Sequence, residues 1–322
     1  MKQCFSNFQN APKDIGVFNQ NALPKLPSSD AVYAEMNRLA GKYPFVRLSE
    51  FGRSVMGRPL LYICAGSGGR RVFYSASHHA NEWITTPVLL KFMSELFEKS
   101  KTGGRIGAYD AADLLRRQTL CFAPLINPDG VDLVLGKISS GKYYNTAKNI
   151  AANYPSISFP SGWKANIEGT DLNLQYPAGW EKAKQIKFAQ GFTSPAPRDF
   201  VGTAPLVAPE SRALANFTRS ISPNIILALH TQGKEIYWKY DDFEPKGAHD
   251  LGLKMAEVSG YTLSETPPLS DNAGFKDWFI QEYNRPGYTV EMGTGINPLP
   301  LEQFNTIYAD VAPMFAVAAA GI

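Results

Sequence analysis

This chain has little net charge, few cysteines and no long apolar run, and each shortage excludes a class of function. Against 32 Lys and Arg stand 29 Asp and Glu, a formal charge of +3 over 322 residues. No basic run accompanies it, so no nucleic-acid partner is expected. Every apolar stretch falls far short of the roughly 20 residues that span a bilayer, so no membrane partner is expected either. Residues Met1 to Asn10 lack the apolar segment of a secretory leader. The 3 cysteines, Cys4, Cys64 and Cys121, make neither a metal-binding spacing nor an even disulfide set, which suits a reducing compartment. A cytoplasmic location is the resulting expectation. Gly66-Ser67-Gly68-Gly69 lacks the GxGxxG spacing and any following Lys-Ser/Thr, so it is not a phosphate loop. No internal repeat or low-complexity segment is present. What remains is a chain that is 44% hydrophobic and long enough for one large α/β domain or two small ones.

Residues 1–28 are polar and irregular, with Pro12, Pro24 and Pro27, and read as a surface segment ahead of a domain spanning 29–322. Ser28-Ser29-Asp30 can cap a helix from Ala31 to Lys42. Val46–Phe51 and Pro59–Ala65 read as strands joined by a turn. Val72–Ala76 is a short apolar, aromatic strand. Trp83–Phe97 is a helix, with Val88, Leu89, Phe92, Met93, Leu96 and Phe97 at three- and four-residue steps. Pro87 is tolerable only near its start. Asp110–Arg116 reads as a helix and Gln118–Ala123 as a strand, after which Asn127-Pro128-Asp129-Gly130 reads as a turn. Residues 137–205 show little regular pattern, and a long loop region inside a compact domain is usually functional. Further helices are expected at 208–221, 249–260, 272–282 and 301–320, and buried strands at 224–229 and 287–290.

Three of the apolar strands end in residues that can ligate or catalyse: His79 with Glu82, then His230, then Glu291. Sites in open α/β sheets form outside the carboxyl ends of strands. If the chain turns into a helix at His79, the side chains of His79 and Glu82 face the same way. Taken singly, the pair could cap a helix or share a surface hydrogen bond. His230 could be a core histidine, and Glu291 could cap the turn after it. Together they offer two imidazoles and a carboxylate for zinc, with one carboxylate left over to take a proton from water.

The chain resembles the zinc metallocarboxypeptidases of the carboxypeptidase A type over about residues 30–320. The likeness is carried by Gly52-Arg53-Ser54-Val55-Met56-Gly57-Arg58-Pro59, His79-Ala80-Asn81-Glu82-Trp83-Ile84-Thr85, Asn127-Pro128-Asp129-Gly130, Asp171-Leu172-Asn173, His230 and Glu291. It implies a single α/β domain with a mixed, mostly parallel eight-stranded sheet flanked by helices. It implies one Zn2+ per chain on His79, Glu82 and His230, with Glu291 as general base and Asp171 orienting His79. Trp163-Lys164 stands where the family has Trp-Arg, so Lys164 would hold the oxyanion as a point charge; an ordinary solvated lysine is the alternative.

Three departures argue against ordinary carboxypeptidase activity. Leu174 holds the place of the arginine that reads a free C-terminal carboxylate. Asn81 precedes Glu82 where an arginine is usual. No tyrosine stands near Leu269-Ser270, where the family has a mobile one. These departures are similar to a bacterial branch, the γ-D-glutamyl-L-diamino acid endopeptidases, which cut murein peptides between D-glutamate and diaminopimelate or lysine. Its pattern resembles residues 163–173, 175–180 and 272–280 here. The resemblance implies a murein peptide substrate, with Asn81, Asn173, Lys276 and Arg198 meeting it. Lys276 would pair with the distal carboxylate of diaminopimelate or else be a solvated helix lysine. The cell-wall-binding repeats that often accompany this branch are absent, so soluble fragments are the expected substrate. Two alternatives stay open: a carboxypeptidase acting on ordinary or glutamylated peptides, and a non-catalytic murein- or peptide-binding module.

Overall fold

The structure, a computed structural model, describes residues 26–321. Most of the expected 1–28 surface segment lies outside the described residues. Helix α1 (Ser29–Lys42) starts where Ser28 accepts the Ala31 N–H, and it buries Val32, Met36 and Leu39 along one stripe. Strands β1 (Val46–Arg53) and β2 (Pro59–Gly66) form the expected hairpin, and β3 (Arg70–Ala76) leads to the strand end that carries His79. Helix α2 (Thr85–Thr102) begins later than its apolar spacing suggests, because a 3-10 turn over Ala80–Glu82 comes first. Pro87 sits in the first turn of α2, where its missing N–H has no partner to lose. A small hairpin of β4 (Arg105–Ile106) and β5 (Tyr109–Asp110) precedes α3 (Ala111–Arg117) and β6 (Gln118–Ala123).

Asn127-Pro128-Asp129-Gly130 is the start of a helix rather than a free turn. Asn127 accepts the Gly130 N–H and Pro128 opens α4 (Pro128–Val134). The stretch 137–205 is less irregular than its pattern suggests, since it holds α5 (Gly141–Ala151) and α6 (Trp180–Ala189). Their buried faces explain the difference. α5 fully buries only the small Ala147 and Ala151, with Tyr143, Tyr144 and Ile150 half-buried beside them, and α6 buries Trp180, Ala183 and Lys187, so its inner face is partly ionic. Then follow α7 (Pro209–Ile221), β7 (Ile225–His230), β8 (Glu235–Tyr237), α8 (Ala248–Ser259), β9 (Thr262–Ser264), α9 (Phe275–Tyr283), β10 (Gly287–Glu291) and α10 (Phe304–Ala320). The three-residue strands β8 and β9 are too short to leave a period in the sequence.

Eight strands form one sheet in the order β1-β2-β6-β3-β7-β10-β8-β9. The central pairs β6–β3, β3–β7 and β7–β10 run parallel, β1–β2, β2–β6 and β10–β8 run antiparallel, and the edge pair β8–β9 is parallel again. Val72, Tyr74 and Ala76 of β3 face a core with α1, α2, α8 and α10, while Phe73 faces a second core with α7 and α9. Burial on both faces is why the central strands read as unbroken apolar runs. Among the described residues, no helix is long and apolar enough to cross a membrane.

The cysteine expectation needs correcting. Cys64 of β2 and Cys121 of β6 lie directly opposite in an antiparallel pair and form a disulfide, 57 residues apart along the chain. Sequence spacing could not show this, because strand pairing brought them together. The cysteines therefore no longer argue for a reducing compartment.

Glu210, in the first turn of α7, is fully buried and ties that helix to two loops. It accepts the Val55 N–H at 3.0 Å and Asn166 Nδ2 at 3.3 Å. Burial pushes its carboxyl up from 4.5 to about 7. Between those values the folded chain keeps a proton that the unfolded chain releases. The stability of the neutral carboxyl is thus fully present below the lower value and lost as pH rises through the upper one. That interval corresponds to about 3 kcal/mol. Urea unfolding at pH 5 and pH 8 should show the loss in the native chain and a flattened one in Glu210→Gln. An equal loss in both would remove Glu210 as its source.

Candidate active site

The adjacent parallel strands β3, β7 and β10 end at one edge of the sheet. In register, Leu229 lies beside Ala76 and Val290, and His230 lies beside Glu291. Beyond β3 the chain turns sharply at Ser77, whose φ of +50° is left-handed. Thr85 Oγ1 accepts the Ser77 N–H at 2.9 Å, and the Ser77 and Thr86 hydroxyls meet at 2.7 Å. The 3-10 turn that follows eclipses residues three apart, so His79 and Glu82 point the same way. The Lys164 carbonyl accepts the Ala80 N–H at 2.9 Å and holds this turn in place.

His79 Nδ1 lies 2.9 Å from Glu82 Oε1, His230 Nδ1 lies 2.9 Å from Glu82 Oε2, and the two Nδ1 atoms are 3.3 Å apart. Among the described residues this is the one cluster of its kind. Zinc bonds of about 2.0–2.1 Å at tetrahedral angles set ligand nitrogens about 3.3 Å apart, so the spacing fits that ion. The chemistry fits as well. His79 Nε2 lies 3.0 Å from Asp171 Oδ1, and donating its proton there leaves Nδ1 with a bare lone pair. Two imidazole nitrogens and a carboxylate facing one point call for a cation.

The charges are balanced locally. Burial opposes a charged His79 ring, but the Glu82 and Asp171 carboxylates push it up to about 9. Burial also opposes ionisation of Glu82, yet Lys164 and His79 hold its carboxyl well below the usual range. Lys164 Nζ donates to Glu82 Oε1 at 2.9 Å, so it is not a solvated lysine. Burial lowers His230 and keeps it neutral. Glu291 is pushed up to about 8, first by burial and then by Glu82.

The cavity over these groups is lined by Lys164, Asp171, Asn173, Leu174, Lys276 and Glu291, among others. Asn173 Oδ1 accepts the Phe275 N–H at 3.0 Å, which fixes its side chain at the wall. Lys276 is 3% exposed, so the solvated alternative fails. Its Nζ donates to the Lys239 carbonyl at 2.6 Å and lies 2.6 Å from Asp277 Oδ1. Asn81 is buried in the turn, and Arg198 is held to Asp199 through Nε at 2.5 Å; neither is part of the cavity wall. Sequence reasoning missed Lys187, Tyr237 and Thr266, which do line it. Tyr237 comes from β8, far in sequence from Leu269-Ser270, and only sheet pairing could have revealed it.

The remaining motif residues build the frame. Arg58 pairs with Asp129 and Asp132, each at 3.2 Å, and Asp129 Oδ2 accepts the Met56 N–H at 2.9 Å. Asn127 Nδ2 donates to the His78 carbonyl at 3.2 Å and the Ala165 carbonyl at 3.0 Å. A Cβ at Gly130 would lie 2.6 Å from Asn127 Oδ1 and 2.7 Å from the Ala165 carbonyl, so this approach requires glycine.

An open α/β sheet with two imidazoles and a carboxylate converging at its strand ends, and a second carboxylate beside them, is an arrangement suited to a single-metal hydrolase. The chain belongs to the zinc carboxypeptidase family, whose sequence profile matches residues 32–312. It is 41% identical over 281 residues to gamma-D-glutamyl-L-diamino acid endopeptidase 1 of Lysinibacillus sphaericus, covering 87% of this chain and 69% of that one. It is also 41% identical over 287 residues to the uncharacterized protein YqgT of Bacillus subtilis, covering 88% and 74% of the two chains. In fold it is similar to bovine thrombin-activatable fibrinolysis inhibitor, solved with a tick carboxypeptidase inhibitor. That match has a TM-score of 0.72 at 17% identity and covers 92% and 97% of the two chains. The expected sheet and family stand, and the chain is a zinc metallopeptidase.

Proposed function

We propose that residues 29–322 form a catalytic domain that hydrolyses the amide between D-glutamate and diaminopimelate or lysine in murein peptides. The observation that carries this reading is the cavity wall. Buried Lys276 and apolar Leu174 line the same cavity as His79, Glu82 and His230, which supports a pocket for a substrate other than an ordinary peptide C-terminus. The relative from Lysinibacillus sphaericus, named for that reaction, supports it.

His79, Glu82 and His230 would hold the zinc, with Asp171 keeping His79 in the tautomer that ligates. Zinc bound there supplies a Lewis acid that polarises the carbonyl and makes water more acidic. Glu291 takes a proton from the water as its oxygen bonds to the amide carbon. The Lys164 ammonium faces the negative charge that grows on the carbonyl oxygen. As the carbon–nitrogen bond breaks, Glu291 returns the proton to the leaving amine. Asn173 and Lys276 line the space for the substrate. Asn81 and Arg198 are assigned no contact with it. A cytoplasmic location, expected from the sequence, is not supported by the Cys64–Cys121 disulfide, because such bonds are rare in a reducing compartment.

Incubation of L-Ala-γ-D-Glu-meso-diaminopimelate with the zinc-loaded protein should release free diaminopimelate, detected by mass spectrometry. Trimming of ordinary peptide C-termini with no such release would sink the murein reading.

A further inference from the structure

We infer that Lys187 is a positioning residue for the metal site, acting through Asp199 and the loop that carries it. The inference rests on the reading of His79 as a zinc ligand. Lys187 lies on α6 with its side chain 9% exposed, and its Nζ is 2.8 Å from Asp199 Oδ1. Asp199 adopts a left-handed φ of +64°. In that conformation its N–H donates to Asp171 Oδ2 at 3.1 Å, while Asp171 Oδ1 holds His79 Nε2 at 3.0 Å. The same loop makes two more connections. The Phe200 carbonyl accepts the Asp171 N–H at 2.9 Å, and the Pro197 carbonyl accepts the N–H groups of Lys164 at 2.7 Å and Ala165 at 2.9 Å. One strap thus sets both the carboxylate behind His79 and the backbone of the oxyanion lysine.

The ion pair is needed because this strap is under electrostatic load. The Asp199 and Asp171 carboxylates are neighbours of like sign, and a left-handed aspartate is a minority conformation. Arg198 also pairs with Asp199 and offsets its charge, but it is the adjacent residue in the same loop, with a side chain 42% exposed, so it cannot tie the loop to α6. Lys187 is the buried partner. Without it Asp199 would be drawn toward solvent and its N–H would leave Asp171, so the carboxylate behind His79, still held by the Asn173 N–H at 3.1 Å, would be less firmly fixed. Losing such an outer partner typically weakens metal binding about 10–100-fold.

The test compares zinc affinity, by chelator competition on the full chain, with kcat and KM on the cleaved murein peptide. Lys187→Met should bind zinc about 10–100-fold more weakly and lower kcat with KM unchanged. Lys187→Arg, which keeps the charge, should recover most of both. Asp199→Asn keeps the backbone N–H but loses the ion pair, and should shift zinc affinity in the same direction; it serves if Lys187→Met does not fold. Native zinc affinity in both Lys187→Met and Asp199→Asn would overturn the inference. So would a raised KM with kcat kept, which would make Lys187 a substrate contact. His79→Ala should lose zinc outright; retention there would overturn the ligand assignment itself, and this inference with it.

Discussion

Glu291→Gln is expected to cut kcat/KM by about 10²–10⁴-fold while the protein still binds one zinc per chain. The amide has the shape of the carboxylate but cannot accept a proton from water. The residue ends β10 beside His230 and belongs to the cavity wall, so the exchange leaves the frame intact. Its environment suits a base. Burial and the nearby Glu82 charge push the carboxyl up to about 8, toward the neutral range in which one group can both take and return a proton. The check is steady-state kinetics on the murein tripeptide with zinc content measured in the same sample. Activity within a few-fold of the native chain would leave Glu291 without the role of base.

Stripping the zinc is expected to abolish turnover, and adding zinc back should restore it. Two imidazoles and a carboxylate cannot do this chemistry alone. His230 is neutral, and Lys164 occupies Glu82 Oε1 at 2.9 Å. Zinc should also raise the melting temperature, because it binds the folded site and not the scattered ligands of the unfolded chain. Free zinc at a thousandfold above Kd contributes about 4 kcal/mol. His230→Ala should lose both the activity and the zinc-dependent rise in melting temperature. A rise that survives in His230→Ala would place the ion elsewhere.

Much of the site was legible because its residues follow apolar strands. His79, His230 and Glu291 each stand at or just beyond a run that reads as buried strand, and the sheet makes those three strands parallel neighbours. Glu82 was legible from its spacing to His79. Lys276 was legible as a residue but not as an environment, since its burial depends on Lys239 and Asp277 closing around it. Lys187 was not legible at all. It belongs to a helix whose buried face is partly ionic, and its partner Asp199 lies in a loop reached only by folding.

The sequence by itself determined which strands are buried on both faces, where most helices run, and which side chains have the chemistry to hold zinc and move a proton. Those properties depend on residue type and on short spacings, which local physics reads directly. Only the tertiary structure decided that Cys64 faces Cys121, that Tyr237 reaches the cavity, and that Asn81 and Arg198 stand outside its wall. It also decided that residues 195–201 bind Lys164 and Asp171 together. Each of these depends on strand order and loop closure between residues far apart in the chain, and no local pattern encodes that distance.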